Sequence, residues 1–241
     1  MNKMKIDIWS DIACPFCYIG KRKLEMALSR FPHKENVELV WHSYELDPRL
    51  PKQALQESIY TYFARKYSMT EEEARENMDN TARLAKEVDL NYDFDKLIVA
   101  NTSDALRLVK LAKEYGLATE AEEILFKSYF VEGKNISDLV VLSDLGSKIG
   151  LKESEIKEML NSDKYLAEIK QDIEYSENEL QLEYIPFYVF NNKQIVQGSI
   201  AVENYLKVLH EAYSEWSTNG ASDQKGETIS GQSCSIDGVC S

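Results

Sequence analysis

Apolar and polar residues alternate at the start of the chain, with Ile6, Ile8 and Ile12 set between polar positions. A period of two predicts a short strand. After Cys17 the spacing changes. Tyr18, Leu24, Ala27 and Leu28 fall opposite Lys21, Arg22, Lys23 and Glu25, as on a one-sided helix. Pro32 marks a break, and VELVWHSYEL (Val37 to Leu46) predicts a second strand. Two strands joined by a helix form a β-α-β unit whose connection is expected to be right-handed. Asp47-Pro48 and Pro51 end it, because a residue before proline is pushed out of the helical region.

From Gln53 to Ser162 the pattern is helical throughout. Leu55, Ile59, Tyr62, Phe63 and Tyr67 share one face, and Thr70-Glu71-Glu72-Glu73 has the form of a capping box opening a helix to Val88. Asn101 to Asp104 cap a further helix that Gly116 stops, and helices over Ala121–Val131, Asp138–Ile149 and Ser154–Leu160 follow. A helix over Tyr165–Leu180 precedes an abrupt change to strand character. Phe187 to Phe190 reads as a buried strand, Asn191-Asn192 as a hairpin turn, and Gln194 to Gln197 as its partner. Pro186 opens the first of these, where it spares the hydrogen-bond ladder. Val202 to Trp216 is a terminal amphipathic helix. Residues 217–241 are polar, rich in serine and glycine and have almost nothing to bury, which predicts a flexible tail.

Across 241 residues the formal charge is −13, which argues against nucleic acid or an anionic membrane as the main partner. No apolar run approaches a membrane-spanning length, and the N-terminus runs straight into a strand without a leader-like segment. The expected location is therefore cytoplasmic, where stable disulfides are uncommon.

That expectation sharpens the reading of Cys14-Pro15-Phe16-Cys17, which lies where strand hands over to helix. Pro15 suits a first helical turn. A thiol at Cys14 would face the positive helix end, which favours its thiolate, and Cys17 lies one turn deeper. This is an arrangement for thiol–disulfide exchange. A zinc site would need a second pair or suitably spaced histidines, and His33 and His42 fit no such spacing. No metal site is expected, and the strand–CxxC–helix context favours a redox pair over two structural cysteines.

Several stretches carry a family resemblance: SDIACPFCYIGKRKLE, WHSYELDPRLP, ANTSDALRLVKLAKEYG, LFKSYFVEGKNISDLVVLSDLGSKIGL and YIPFYVFNNKQIVQGS. Together they resemble the FrnE-like subfamily of the DsbA oxidoreductases. The resemblance implies an α/β thioredoxin-like fold with a large all-helical insertion. Residues 1–50 and 164–216 would form the discontinuous thioredoxin-like domain, 51–163 the helical insertion, and 217–241 the tail. It further implies that Cys14 is the surface nucleophile and Cys17 the resolving thiol. The Ile185–Pro186 bond would be cis beside them, with Pro15, Phe16, Ile185 and Pro186 contacting substrate. An extended substrate would pair with the backbone of Ile185.

The chain departs from its relatives at three positions. Leu106 stands where many carry histidine, and Phe16 where strongly oxidising members have histidine, which implies a less oxidising pair. Ile8 replaces the buried carboxylate of thioredoxin relatives, leaving Asp11 and Glu45 as the acidic candidates for handling the Cys17 proton. The resemblance implies no tightly bound cofactor. It implies disulfide- or thiol-bearing protein or small-molecule substrates, and recycling by a low-molecular-weight thiol or thioredoxin-type reductant. Kappa-class glutathione transferases and 2-hydroxychromene-2-carboxylate isomerases share this superfamily but generally carry serine for the first cysteine. A redox sensor is a third, non-enzymatic reading, since Cys234 and Cys240 form a candidate secondary redox pair in the tail. A flexible linker from Trp216 to Cys234 spans about 20–25 Å on average, far enough to reach the first pair.

Overall fold

The structure is a computed structural model that describes residues 3–219 and 228–235. The alternating stretch forms β1 (Met4–Ser10), with Met4, Ile6 and Ile8 buried. The chain continues through α1 (Pro15–Arg30) into β2 (Val37–Ser43), which runs parallel to β1 in register from Met4↔Val37 to Ser10↔Ser43. The predicted strand ran to Leu46. It stops at Ser43 because β1 offers no ladder partner beyond Ser10; the next amide, on Tyr44, donates to the Ser10 carbonyl (2.9 Å).

The chain divides into two compact units, Met1–Tyr44 with Asp172–Ser241, and Glu45–Gln171. The second unit contains α2 (Ile59–Tyr67), α3 (Glu71–Lys86), α4 (Ser103–Glu114), α5 (Ala118–Phe130), α6 (Leu139–Lys148) and α7 (Glu153–Leu160). Thr70 and Glu73 form the expected capping box, Ser58 caps α2 by accepting from the Thr61 amide, and Asp138 caps α6. The division falls at Tyr44/Glu45 and Gln171/Asp172, not at the expected 50/51 and 163/164. The later boundary lies inside the continuous helix α8 (Leu166–Asn178), where no glycine or proline marks it.

In the first unit the chain returns through β3 (Tyr184–Ile185), β4 (Phe187–Phe190), β5 (Gln194–Gln197) and α9 (Val202–Asn219). Strand β4 lies antiparallel to β1 with Ile8 opposite Tyr188, and β5 is antiparallel to β4. Phe190 pairs with Gln194 across a three-residue loop, not a two-residue turn, and within it Asn191 and Asn192 take φ of 50° and 59°, a left-handed conformation that asparagine tolerates.

The tail expectation is overturned for residues 228–235. Here β6 (Thr228–Ser230) adds in parallel to β5, giving the order β2-β1-β4-β5-β6, and β7 (Cys234–Ser235) pairs antiparallel with β3. Cys234 and Ser233 are buried. Sheet-edge N–H and C=O groups bind any extended backbone, so a polar segment gains order without an apolar face. No helix among the described residues is long and apolar enough to cross a membrane.

Candidate active site

Strand β1 delivers the chain to a turn that places Cys14 at the start of α1. Asp11 builds this turn: its Oδ1 accepts from the Ala13 amide (3.2 Å) and its carbonyl from the Cys14 amide (3.0 Å). Cys14 is the extended N-cap residue, Pro15 opens the helix, and the Cys17 amide donates to the Cys14 carbonyl (3.1 Å). The Cys14 thiol makes no cap bond. It donates instead, at 3.8 Å, to the carbonyl of Ile185. The Ile185–Pro186 bond is cis. Cys14, Ile185 and Pro186 are thus gathered from sequence-distant segments onto one spot.

Cys14 and Cys17 are both free thiols. Burial pushes the Cys17 thiol well above its ordinary range, and the neighbouring Cys14 adds to this. The Asp11 amide and the nearby Ser10 hydroxyl oppose it. Cys17 is therefore held as a thiol at neutral pH.

The expectation of a surface nucleophile does not hold for the state described, since Cys14 is 0% exposed. The tail passes close to this thiol. Cys234 lies opposite Ile185 in the β3–β7 ladder, so the tail runs along the residue whose carbonyl the Cys14 thiol meets. Cys234 is itself 0% exposed and disulfide-bonded. Cys240, the other member of the expected tail pair, lies outside the described residues. Of the expected substrate contacts, Phe16, Ile185 and Pro186 are buried, and Pro15 keeps partial exposure.

The two acidic candidates separate. Asp11 is buried and shapes the turn, whereas Glu45 opens the helical unit. Sequence reasoning passed over Ser10, Gly20 and Tyr188. A methyl group added at Gly20 would stand 2.5 Å from the Tyr188 hydroxyl and 3.1 Å from Pro186 Cγ, so the backbone of α1 at this point is moulded around that hydroxyl. A lone glycine inside a strong helical pattern was the available signal. Among the described residues no group of three or more His, Cys, Asp or Glu is placed to hold a metal ion.

Residues 5–210 match the family model described as the DSBA-like thioredoxin domain. The chain belongs to this family. The DSBA-like match spans both β-α-β entry and hairpin return, and with them Cys14, Cys17 and Pro186. A probable DsbA oxidoreductase, SCO1869 of Streptomyces coelicolor, is 31% identical; the alignment covers 99% of this chain and 98% of that one, with a TM-score of 0.82. The uncharacterised protein YwbO of Bacillus subtilis is 23% identical over 209 residues, 86% of this chain and 96% of YwbO. The cytosolic disulfide reductase DsbM of Pseudomonas aeruginosa shares the fold at 15% identity and a TM-score of 0.57, over 89% of this chain and 97% of DsbM. At the family level, the DSBA-like assignment makes this a thiol–disulfide oxidoreductase fold.

Proposed function

We propose that the protein is a cytosolic disulfide reductase or isomerase that works through Cys14 and Cys17. The observation that carries this reading is the meeting of the Cys14 thiol with the Ile185 carbonyl at the head of α1, beside a deeper Cys17. In the reductive direction the Cys14 sulfur attacks a substrate disulfide. A mixed disulfide forms and one substrate thiol leaves. Cys17 then attacks Cys14, giving up its proton as the second substrate thiol departs with one. The substrate disulfide gains two electrons and two protons, and Cys14–Cys17 becomes a disulfide. A low-molecular-weight thiol or thioredoxin-type reductant restores the pair. DsbM, which shares the fold, has also been solved with GSH, in keeping with a small thiol in that role.

The β3–β7 ladder supports a second layer to this reading. The tail takes the strand position that an extended substrate would use, with its disulfide-bonded Cys234 opposite Ile185. We propose that the pair Cys234 and Cys240 exchanges with Cys14 and Cys17 as an internal substrate. Exchange keeps the count of disulfides constant: a Cys14–Cys17 disulfide forms as the tail disulfide becomes two thiols.

Insulin reduction in the presence of dithiothreitol tests the main reading. Cys14→Ser is expected to lose roughly a hundredfold or more of the catalysed rate. Full activity in Cys14→Ser, or glutathione conjugation without disulfide reduction, contradicts it and favours a transferase.

A further inference from the structure

The resolving step needs charge to develop on a sulfur that this fold has buried. Strands β1 and β4 bring two hydroxyls to one face of the sheet. Ile8 and Ser10 are two residues apart on β1, so their side chains share one face of the sheet. Tyr188 is the direct cross-strand partner of Ile8 and projects to that same face. Its hydroxyl meets α1 at Gly20, three residues past Cys17, and lies close to Tyr205 of α9. Ser10 is the last residue of β1, two residues nearer than Ile8 to the turn that carries Cys14.

Ser10 and Tyr188 are both 0% exposed. Among the described residues, neither hydroxyl oxygen has a hydrogen-bond partner at full geometry. Buried hydroxyls without partners are costly and uncommon, and such orphaned groups call for a reason. Glycine, a poor helix former, is the residue that leaves the Tyr188 oxygen its space.

We propose that Ser10 and Tyr188 are positioning residues for the resolving step, forming a buried pair of donors that receives the negative charge developing on Cys17. In the thiol state the Ser10 hydroxyl faces Cys17 and the Tyr188 hydroxyl neighbours Tyr205, without a well-formed bond in either case, and both gain a strong acceptor when Cys17 ionises. Donors preset toward a developing charge stabilise the transition state without reorganisation. Burial holds the Tyr188 phenol well above its ordinary range, so it remains a donor rather than a base. The Ser10 hydroxyl already opposes the upward push on Cys17. The proton Cys17 gives up leaves with the departing substrate sulfur, so no internal base is needed. One S–S bond breaks and one forms.

The inference rests on Cys17 being the resolving thiol, and the experiment separates the two. The full chain is mixed with 5,5′-dithiobis(2-nitrobenzoate). Attack by Cys14 releases one thionitrobenzoate, and resolution by Cys17 releases a second. If the wild type shows no second release, the role of Cys17 is wrong. If it does, Ser10→Ala and Tyr188→Phe are each expected to slow that release roughly five- to tenfold across neutral pH. Ser10→Thr, which keeps the hydroxyl, is expected to match wild type. In a Cys17→Ser background, release of the trapped thionitrobenzoate by external dithiothreitol reports access to Cys14 and is expected to stay unchanged. Should Tyr188→Phe fail to fold, Ser10→Ala carries the test. Second-phase rates equal to wild type overturn the proposal. So does a parallel change in the dithiothreitol rate, which marks a packing effect.

Discussion

At the scale of single residues, the candidate site divides into groups proposed to react and groups that make room. Cys14 and Cys17 were legible because two cysteines at this spacing between a strand and a helix have few other uses. Pro186 was legible only through the family resemblance, since proline opening a strand has an ordinary structural role. Ser10 and Tyr188 were hidden, because a buried serine or tyrosine carries no charge to single it out. Asp11 drew notice for its charge, yet its carboxylate serves the turn. Gly20 yields a prediction at this scale. Gly20→Ala gains about 1 kcal/mol of helix propensity. The added methyl, however, meets the hydroxyl of a fully buried tyrosine at 2.5 Å, and overpacking of this kind costs about 1–3 kcal/mol. Urea denaturation is expected to show a net loss of stability; a gain would mean the notch is dispensable.

Among elements, those whose bonds leave a side-chain pattern were predicted well. The period-two run gave β1, the capping box opened α3, and the Asn-Asn turn joined β4 to β5. The two short tail strands left no such trace, since their pairing is made by backbone groups. One link between elements depends on pH. His42 of β2 stacks on Trp9 of β1 (4.3 Å between centroids) and shares its ring nitrogens between Asp7 (2.8 Å) and Asp172 of α8 (3.1 Å). Burial alone would lower the pKa of His42, but hydrogen bonds to Asp172 and Asp7 outweigh it and hold the value above its ordinary 6.5. Because the folded value is the raised one, this stabilisation is complete below 6.5 and is lost as pH rises through the folded pKa. The urea midpoint of the wild type is expected to fall over that window. His42→Asn, which does not titrate, is expected to fall less, and an identical slope would remove His42 as the cause.

For the whole molecule, the consequential feature is that the C-terminal segment returns to the sheet, pairing with β5 and β3. Composition suggested a loose tail, because composition registers apolar burial and not edge pairing. A chain ending after α9 is expected to alkylate at Cys14 several-fold faster than the full chain. Cys234→Ser, which keeps the backbone bonds of β7, is expected to stay near the wild-type rate. Equal rates in the full and shortened chains would mean that something other than the tail covers Cys14.

The proposed chemistry turns on which sulfur meets the substrate. Cys17→Ser removes the resolving thiol and should leave the first covalent intermediate in place. The protein is incubated with a disulfide-bonded peptide and quenched with acid, and its cross-linked fragments are mapped by mass spectrometry. The predicted result is peptide joined to Cys14, absent when Cys14→Ser is added. Peptide joined only to a tail cysteine, or an equal yield without Cys14, contradicts the assignment.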